Sequence, residues 1–307
     1  DQESLRLLTD TVRRFVRQRL QPLERKISED DAIPEQVVAD MRQLGLFGLS
    51  IPEAYGGLGL SMFEEVQVAF ELGWTSPAFR SLIGTNNGIG SQGLIIAGTE
   101  EQKRRYLPLL ATGELIGSFA LTEPDVGSDA GAVKTSARRD GDVYVLNGTK
   151  RYITNAPRAG LFTVFARTDP AIAGGAGVSA FLVDAGTAGL SLGRKDRKMG
   201  QQGSHVCDVI FQDCRVPLAN RLGREGEGFK TAMKVLDRGR LHISAVCCAV
   251  AERLIHDSLS FAMTRRQFGK PIAEFQLIQA MLADSRAEAF AARCMVCLLY
   301  TSDAADE

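Results

Sequence analysis

Leu5, Leu8, Val12, Phe15 and Leu20 recur at helical spacing with Arg13, Arg14 and Arg17 between them. The pattern predicts an amphipathic helix ending before Pro22. Pro34 suits the start of a second helix, followed by Val37, Val38, Met41 and Leu44, with Gly45 near the stop. Ser61 with Glu64, and Thr99 with Gln102, have the spacing of capping boxes at two more helix starts. The chain is therefore predicted to be mainly helical to about residue 114. Short β-branched and aromatic runs follow: Val143 and Val145, Leu161–Arg167, Val178–Asp184 and Val206–Phe211. Asn147-Gly148, Gly174-Gly175 and Asp213 are predicted as turns between or beside them. Strands this short and dense point to a β-barrel or sandwich, not a parallel sheet with crossover helices. Past Pro217 the helical pattern returns over 229–263, with Val235, Val246, Val250 and Leu254, and again over 275–292.

Composition narrows the class without naming it. A chain of 307 residues has room for two or three domains of about 100–150 residues. A net charge of −1 excludes a general pull toward nucleic acid or an anionic membrane. No apolar run approaches the roughly 20 residues that span a bilayer. Six scattered cysteines form no framework and point to a reducing compartment. The first residues, Asp1-Gln2-Glu3, carry neither an initiator Met nor a secretory signal, so the expectation is a fragment that opens inside its first helix. His205, His242 and His256 are too dispersed to assign a metal, and Cys247-Cys248 are expected in the core. The glycine-rich run from Ile51 to Gly59 lacks P-loop and dinucleotide-binding patterns and reads as a structural turn. Gly223, Gly226 and Gly228 likewise follow no βαβ unit.

The chemistry is most legible between Phe119 and Asp129, where an apolar run gives way to Leu121-Thr122-Glu123-Pro124-Asp125-Val126-Gly127-Ser128. Pro124 withholds an N–H, Gly127 lets a bulky anion approach its backbone, and Thr122 and Ser128 offer donors. Each residue alone also fits a strand edge running into a polar loop. A second stretch follows at Lys150-Arg151-Tyr152-Ile153-Thr154-Asn155. Together the two strings resemble the acyl-CoA dehydrogenases, and the resemblance runs from about residue 1 to 296.

The resemblance implies a multidomain α and β fold: an N-terminal α-helical domain (1–114), a middle β-barrel domain (115–221) and an incomplete C-terminal α-helical bundle (222–307). It implies FAD, an acyl-CoA substrate, an electron-transfer flavoprotein or similar acceptor, and a homodimer or homotetramer. It places the protein in a bacterial cytoplasm or a mitochondrial matrix, in fatty acid β-oxidation. The reaction implied removes the α-proton of the thioester with a carboxylate base and passes the β-hydrogen to the flavin, giving the trans-2-enoyl-CoA. Phe119, Leu121 and Thr122 would lie along the flavin ring, Gly127 and Ser128 at the pyrophosphate, and Tyr152 and Thr154 at the ring's other edge. Ser128 would also meet the substrate's pantetheine, and Asp237 and Arg240 the CoA portion. Arg265, Gln267, Phe268 and Gln276 belong to a further family match, which would reach the FAD of a neighbouring subunit.

Arg80 and Ser81 resemble the pair that holds a distal carboxylate in glutaryl-CoA dehydrogenases. A surface arginine near a helix end is an equal reading. The glutamate those enzymes carry seven residues earlier is Gly73 here. A glutaryl-type decarboxylating dehydrogenase or a sulfinopropionyl-CoA desulfinase is thus an alternative, and an inactive flavin- or partner-binding protein another. The catalytic base is expected beyond residue 307, since the family's second position for it is Gly239. Glu123 belongs to the flavin loop in the family. The segment 297–307 departs from the family pattern and is expected to be a non-native tail, leaving the chain short of its base and inactive as it stands.

Overall fold

The computed structural model describes residues 2–303. Two compact units are built from interleaved stretches of sequence: residues 1–25, 61–80 and 240–307 in the first, 26–60 and 81–239 in the second.

Within the first unit, α1 (Gln2–Phe15) opens the chain. The helical path does not stop before Pro22 as the periodicity predicts. It passes through a wide turn at Val16–Leu20 into a 3₁₀ turn, Gln21–Leu23, that leads into α2 (Glu24–Asp30), of which residues 26–30 belong to the second unit. Pro22 sits in the first turn of that new segment, where its missing N–H would have had no helical partner anyway. The unit also holds α4 (Met62–Leu72), most of α8 (Gly228–Thr264) and α9 (Gln276–Asp303). Val66, Ala69 and Phe70 from α4 pack against Leu241, Ala245, Val246 and Ala249 of α8 and Val296 of α9. Gly73 lets α4 come this close: a Cβ there would lie 2.5 Å from the Cβ of Ala249 and 2.8 Å from the Val246 carbonyl. Cys248 joins this core, but Cys247 faces solvent, because adjacent helical positions point about 100° apart. Between α8 and α9, Arg266-Gln267 (β9) pairs with Lys270-Pro271 (β10). Phe268 and Gly269 join them with positive φ, the two-residue hairpin turn that matches strand twist. The sequence there reads only as a helix end and a turn. Residues 297–303 continue α9, and 304–307 lie outside the described residues.

Within the second unit come α3 (Glu35–Gln43), α6 (Gln92–Ala97) and α7 (Glu100–Thr112), while α5 (Pro77–Thr85) runs from Arg80 in the first unit to Ser81 in the second. Both expected capping boxes, Ser61/Glu64 on α4 and Thr99/Gln102 on α7, are formed. The β-rich part follows as β1 (Gly117–Ala120), β2 (Ser136–Asp140), β3 (Val143–Thr154), β4 (Leu161–Arg167), β5 (Val178–Asp184), β6 (Leu190–Leu192), β7 (Val206–Pro217) and β8 (Arg221–Leu222). Their order is β6-β7-β3-β2-β4-β5-β8, with β1 added parallel to β4. β4 and β5 are buried on both faces: Phe162, Val164, Ala166, Phe181 and Val183 face one core, and Leu161, Phe165, Ala180 and Leu182 face the other.

Two of the expected turns are not turns. Asn147-Gly148 lies inside β3 and Asp213 inside β7, where the two strands are paired. Between Leu146 and Gly148 the ladder takes two steps on β3 and three on β7, so β7 carries a bulge. Asn147 Nδ2 donates to Asp213 Oδ1 at 3.1 Å, and Asp213 N donates back to Asn147 Oδ1 at 2.8 Å. This side-chain exchange satisfies groups the bulge would otherwise strand. Between Lys150 and Ile153 the imbalance is reversed, with the extra residue on β3.

Candidate active site

The second bulge is where the two chemical stretches meet. The extra residue falls at Arg151-Tyr152, and Tyr152 adopts φ 58°, a left-handed conformation costly for a bulky side chain. The bulge turns its ring outward, to 62% exposure, where the Arg151 guanidinium covers it at 4.6 Å. Arg151 is itself held by Asp208 Oδ1 at 2.8 Å and Asp196 Oδ1 at 3.2 Å. Its main-chain N–H donates to the Thr122 carbonyl at 2.7 Å, which joins the second stretch to the first. Thr154, two residues on, is half-buried, and its carbonyl accepts the hydroxyl of Ser118 on β1.

On the other side of that bond the chain leaves β1. Phe119 and Leu121 send their side chains into the core, the Phe119 ring lying 4.8 Å from that of Phe165. Glu123 and Val126 exchange two main-chain hydrogen bonds across Pro124-Asp125, closing a tight turn. Gly127 and Ser128 follow on its exposed side, and a Cβ built on Gly127 meets nothing within 4 Å. An open, Cβ-free main chain beside an exposed hydroxyl fits a phosphate-bearing cofactor, and an outward aromatic on a strained backbone fits the face or edge of a planar ring. Both features suit a flavin dinucleotide.

Under the turn lies a group that the sequence reading placed only as part of the flavin loop. Glu123 is buried, and its carboxylate accepts from the main-chain N–H of Lys134 and of Thr135, both at 2.8 Å. Lys150 has no exposed surface. Its Nζ donates to Glu123 Oε1 at 2.8 Å and to the Leu121 carbonyl at 3.1 Å. Burial pushes the Glu123 carboxyl up, but the Lys150 charge and the hydrogen bonds outweigh it and leave it below its ordinary value. Burial pushes the Lys150 ammonium down to about 8, partly opposed by Glu123. With both oxygens engaged, Glu123 is not placed to act as a general base.

The remaining residues are spread over both units. Ser81, in the second, donates to Gln201 Oε1 at 2.8 Å, and Asp237 is exposed on α8. Gly239 follows on the same helix, and a Cβ there would meet only Ile89 Cγ2, at 3.5 Å. In the first unit, Arg240, Arg265, Gln267 and Gln276 are exposed, and Phe268 stands at the hairpin tip, 93% exposed. Arg80 is half-buried rather than free on the surface. Its Nη2 donates to Nδ1 of buried His242 at 2.6 Å, and its buried Nε has no partner. Burial lowers the guanidinium to about 10, against the pull of Cys247 and Glu65. Burial, and then the Arg80 charge, lower His242 to about 3. No group of three or more His, Cys, Asp or Glu suited to a metal occurs among the described residues.

Comparison with known proteins assigns this arrangement to a family. The sequence matches the models for the acyl-CoA dehydrogenase N-terminal domain at residues 2–114, middle domain at 118–214 and C-terminal domain at 226–305. An acryloyl-CoA reductase (NADH) of Anaerotignum propionicum is 43% identical over 298 residues, 96% of this chain and 74% of that one. The CarC subunit of the caffeyl-CoA reductase-Etf complex of Acetobacterium woodii is 38% identical over 88% of this chain and 71% of its own length. Among solved structures, butyryl-CoA dehydrogenase from Megasphaera elsdenii superposes with a TM-score of 0.92 at 33% identity, covering 97% of this chain and 79% of that one. The FAD complex of an acyl-CoA dehydrogenase from Bacillus anthracis gives 0.88 at 36% identity, over 95% of this chain and 50% of its own. The chain therefore belongs to the acyl-CoA dehydrogenase family of FAD-dependent oxidoreductases.

Proposed function

We propose that this oxidoreductase desaturates the α,β bond of a short acyl-CoA thioester to the trans-2-enoyl-CoA. The observation that carries the reading is the Arg151 N to Thr122 O bond, which brings both chemical stretches to one place around the outward ring of Tyr152. Thr122, Gly127, Ser128, Tyr152 and Thr154 would hold FAD, with Phe119 and Leu121 backing the site from the core. FAD, when bound, supplies the acceptor for two electrons. The chain's own part is to fix the main chain around the ring, keep water from it and bind the CoA portion through Ser128, Asp237 and Arg240. Exposed Arg265, Gln267, Phe268 and Gln276 would complete the site of a second copy in a homodimer or homotetramer. An electron-transfer flavoprotein would take the electrons, as the Etf complex containing the Acetobacterium relative suggests. The three domains would run 1–114, 115–221 and 222–307. A bacterial cytoplasm or a mitochondrial matrix would house the protein.

One observation favours a second reading. The buried Arg80 guanidinium has an unpartnered Nε, which suits an acyl-CoA with an anionic tail and hence a glutaryl-type decarboxylating dehydrogenase or a sulfinopropionyl-CoA desulfinase. The test is to purify the full-length product of the gene, including the expected base beyond residue 307, and mix it without oxygen with butyryl-CoA and with glutaryl-CoA, following flavin absorbance. Bleaching by butyryl-CoA is expected. Preference for glutaryl-CoA would give Arg80 the carboxylate. A yellow protein that neither thioester bleaches would overturn dehydrogenation in favour of desulfination or a binding role, and a colourless one would overturn the flavin site.

A further inference from the structure

We infer that the buried Glu123–Lys150 pair is a positioning device that sets the main chain of the flavin-facing turn, an inference that rests on the flavin reading above. The pair is more than a neutral filler, because of what each partner holds besides the other. Lys150 Nζ takes the Leu121 carbonyl, and the next N–H, that of Arg151, takes the Thr122 carbonyl, so two consecutive carbonyls are drawn toward β3. The carbonyl and the N–H of one planar trans peptide point to opposite sides, so fixing these carbonyls also fixes where the following N–H groups are presented. From the other side, Glu123 receives the N–H groups of Lys134 and Thr135 and ties the turn to the start of β2. Leu121, Thr122 and Glu123 are thereby each bonded to an element outside the turn.

The same residue pair spans the bulge. Lys150 is the last regular partner on β3, opposite Val209, before the register shift that exposes Tyr152. A ligand held between Thr122 and Tyr152 would thus have both its walls anchored on one side chain. Glu123 and Lys150 touch no ligand in this scheme and act through Leu121, Thr122 and Tyr152.

The test uses Glu123→Gln, Lys150→Met and the double variant E123Q/K150M, each checked for folding by far-UV circular dichroism. Two quantities are read: FAD affinity, by titrating the flavin-free protein and following flavin fluorescence, and amide hydrogen exchange over residues 120–128. Each single variant is expected to bind FAD about tenfold more weakly, the scale of one charge-assisted hydrogen bond, with faster exchange in the turn. The double variant restores charge balance but gives the Leu121 carbonyl no donor, so a positioning role predicts that affinity stays low and exchange fast. Recovery of both in the double variant would reduce the pair to charge balance and overturn the inference, as would wild-type values in the singles. Should the singles fail to fold, the double variant decides alone. If the wild type binds no FAD, the flavin reading fails, and unchanged exchange in the variants would separately remove the clamp.

Discussion

His242 shows how much a single contact fixes. It accepts a hydrogen bond from Arg80 at Nδ1, so its proton is confined to Nε2 and a second proton would sit against a buried cation. The imidazole is expected to stay neutral across about pH 5 to 8, and its ring resonances should not move in that window. The sign follows from linkage: the unfolded chain takes up a proton near 6.5 and the folded one only near 3, so this site costs stability as pH falls between those values. Glu65 and Cys247, the other titratable groups acting on Arg80, oppose its loss of charge and keep the cation in place. An NMR titration with a midpoint near 6.5 would sink this account. The residue scale is also where the sequence reading was weakest. An arginine followed by a serine looks the same on a surface and in a core, so the burial of Arg80 was not legible. Lys150 was partly so, since counting by two along β3 from Tyr144 and Leu146 puts it on the inward face.

Glycines separate two kinds of helix contact. At Gly73 an added methyl would run into Ala249 and the Val246 carbonyl, with no strained φ to share the blame, so Gly73→Ala should lose about 1–3 kcal/mol to overpacking. At Gly239 the same methyl meets ordinary van der Waals distance in mid-helix, and Gly239→Ala should gain about 0.5–1 kcal/mol from reduced chain entropy. Urea unfolding of the two variants checks both signs at once. Equal effects would mean that helix propensity, not the α4–α8 contact, governs position 73. Elements with local signals were legible in advance: the capping boxes, the helices of the first and last thirds, and the strands Leu161–Arg167 and Val178–Asp184. Asn147-Gly148 and Asp213 were misread for a physical reason. A bulge and a turn ask the same backbone freedom of the same residues, and only the partner strand tells them apart.

At the scale of the whole chain, the first unit leaves a broad apolar surface. Leu254, Phe261 and Met263 on α8, and Leu277, Met281, Phe290 and Met295 on α9, are each more than half exposed. Side chains of this kind suit an association surface, and if the proposed sharing of sites between copies holds, sedimentation velocity should find a dimer or larger assembly at micromolar concentration. A monomer there would remove the proposed sharing of sites between copies. The helix–strand–helix order was legible because period 3.6 gives way to period 2 and returns. The interleaving of 1–25, 61–80 and 240–307 into one unit was not, since nothing local announces which helices will pack together. The two opposed bulges of β3 and β7 bear on how such a chain can change by descent. Each strand carries one surplus residue, and the surpluses cancel, so the ladder from Ile153 onward runs in the register with which it began at Val143. In each bulge two consecutive residues, Gln212-Asp213 and Arg151-Tyr152, lie between inward neighbours, so loss of a single codon there would leave Phe211, Cys214, Lys150 and Ile153 facing inward. Loss of one codon from the β3 bulge alone would leave a regular ladder with no outward Tyr152, so a lineage of this fold can shed the site without shedding the sheet by a single deletion.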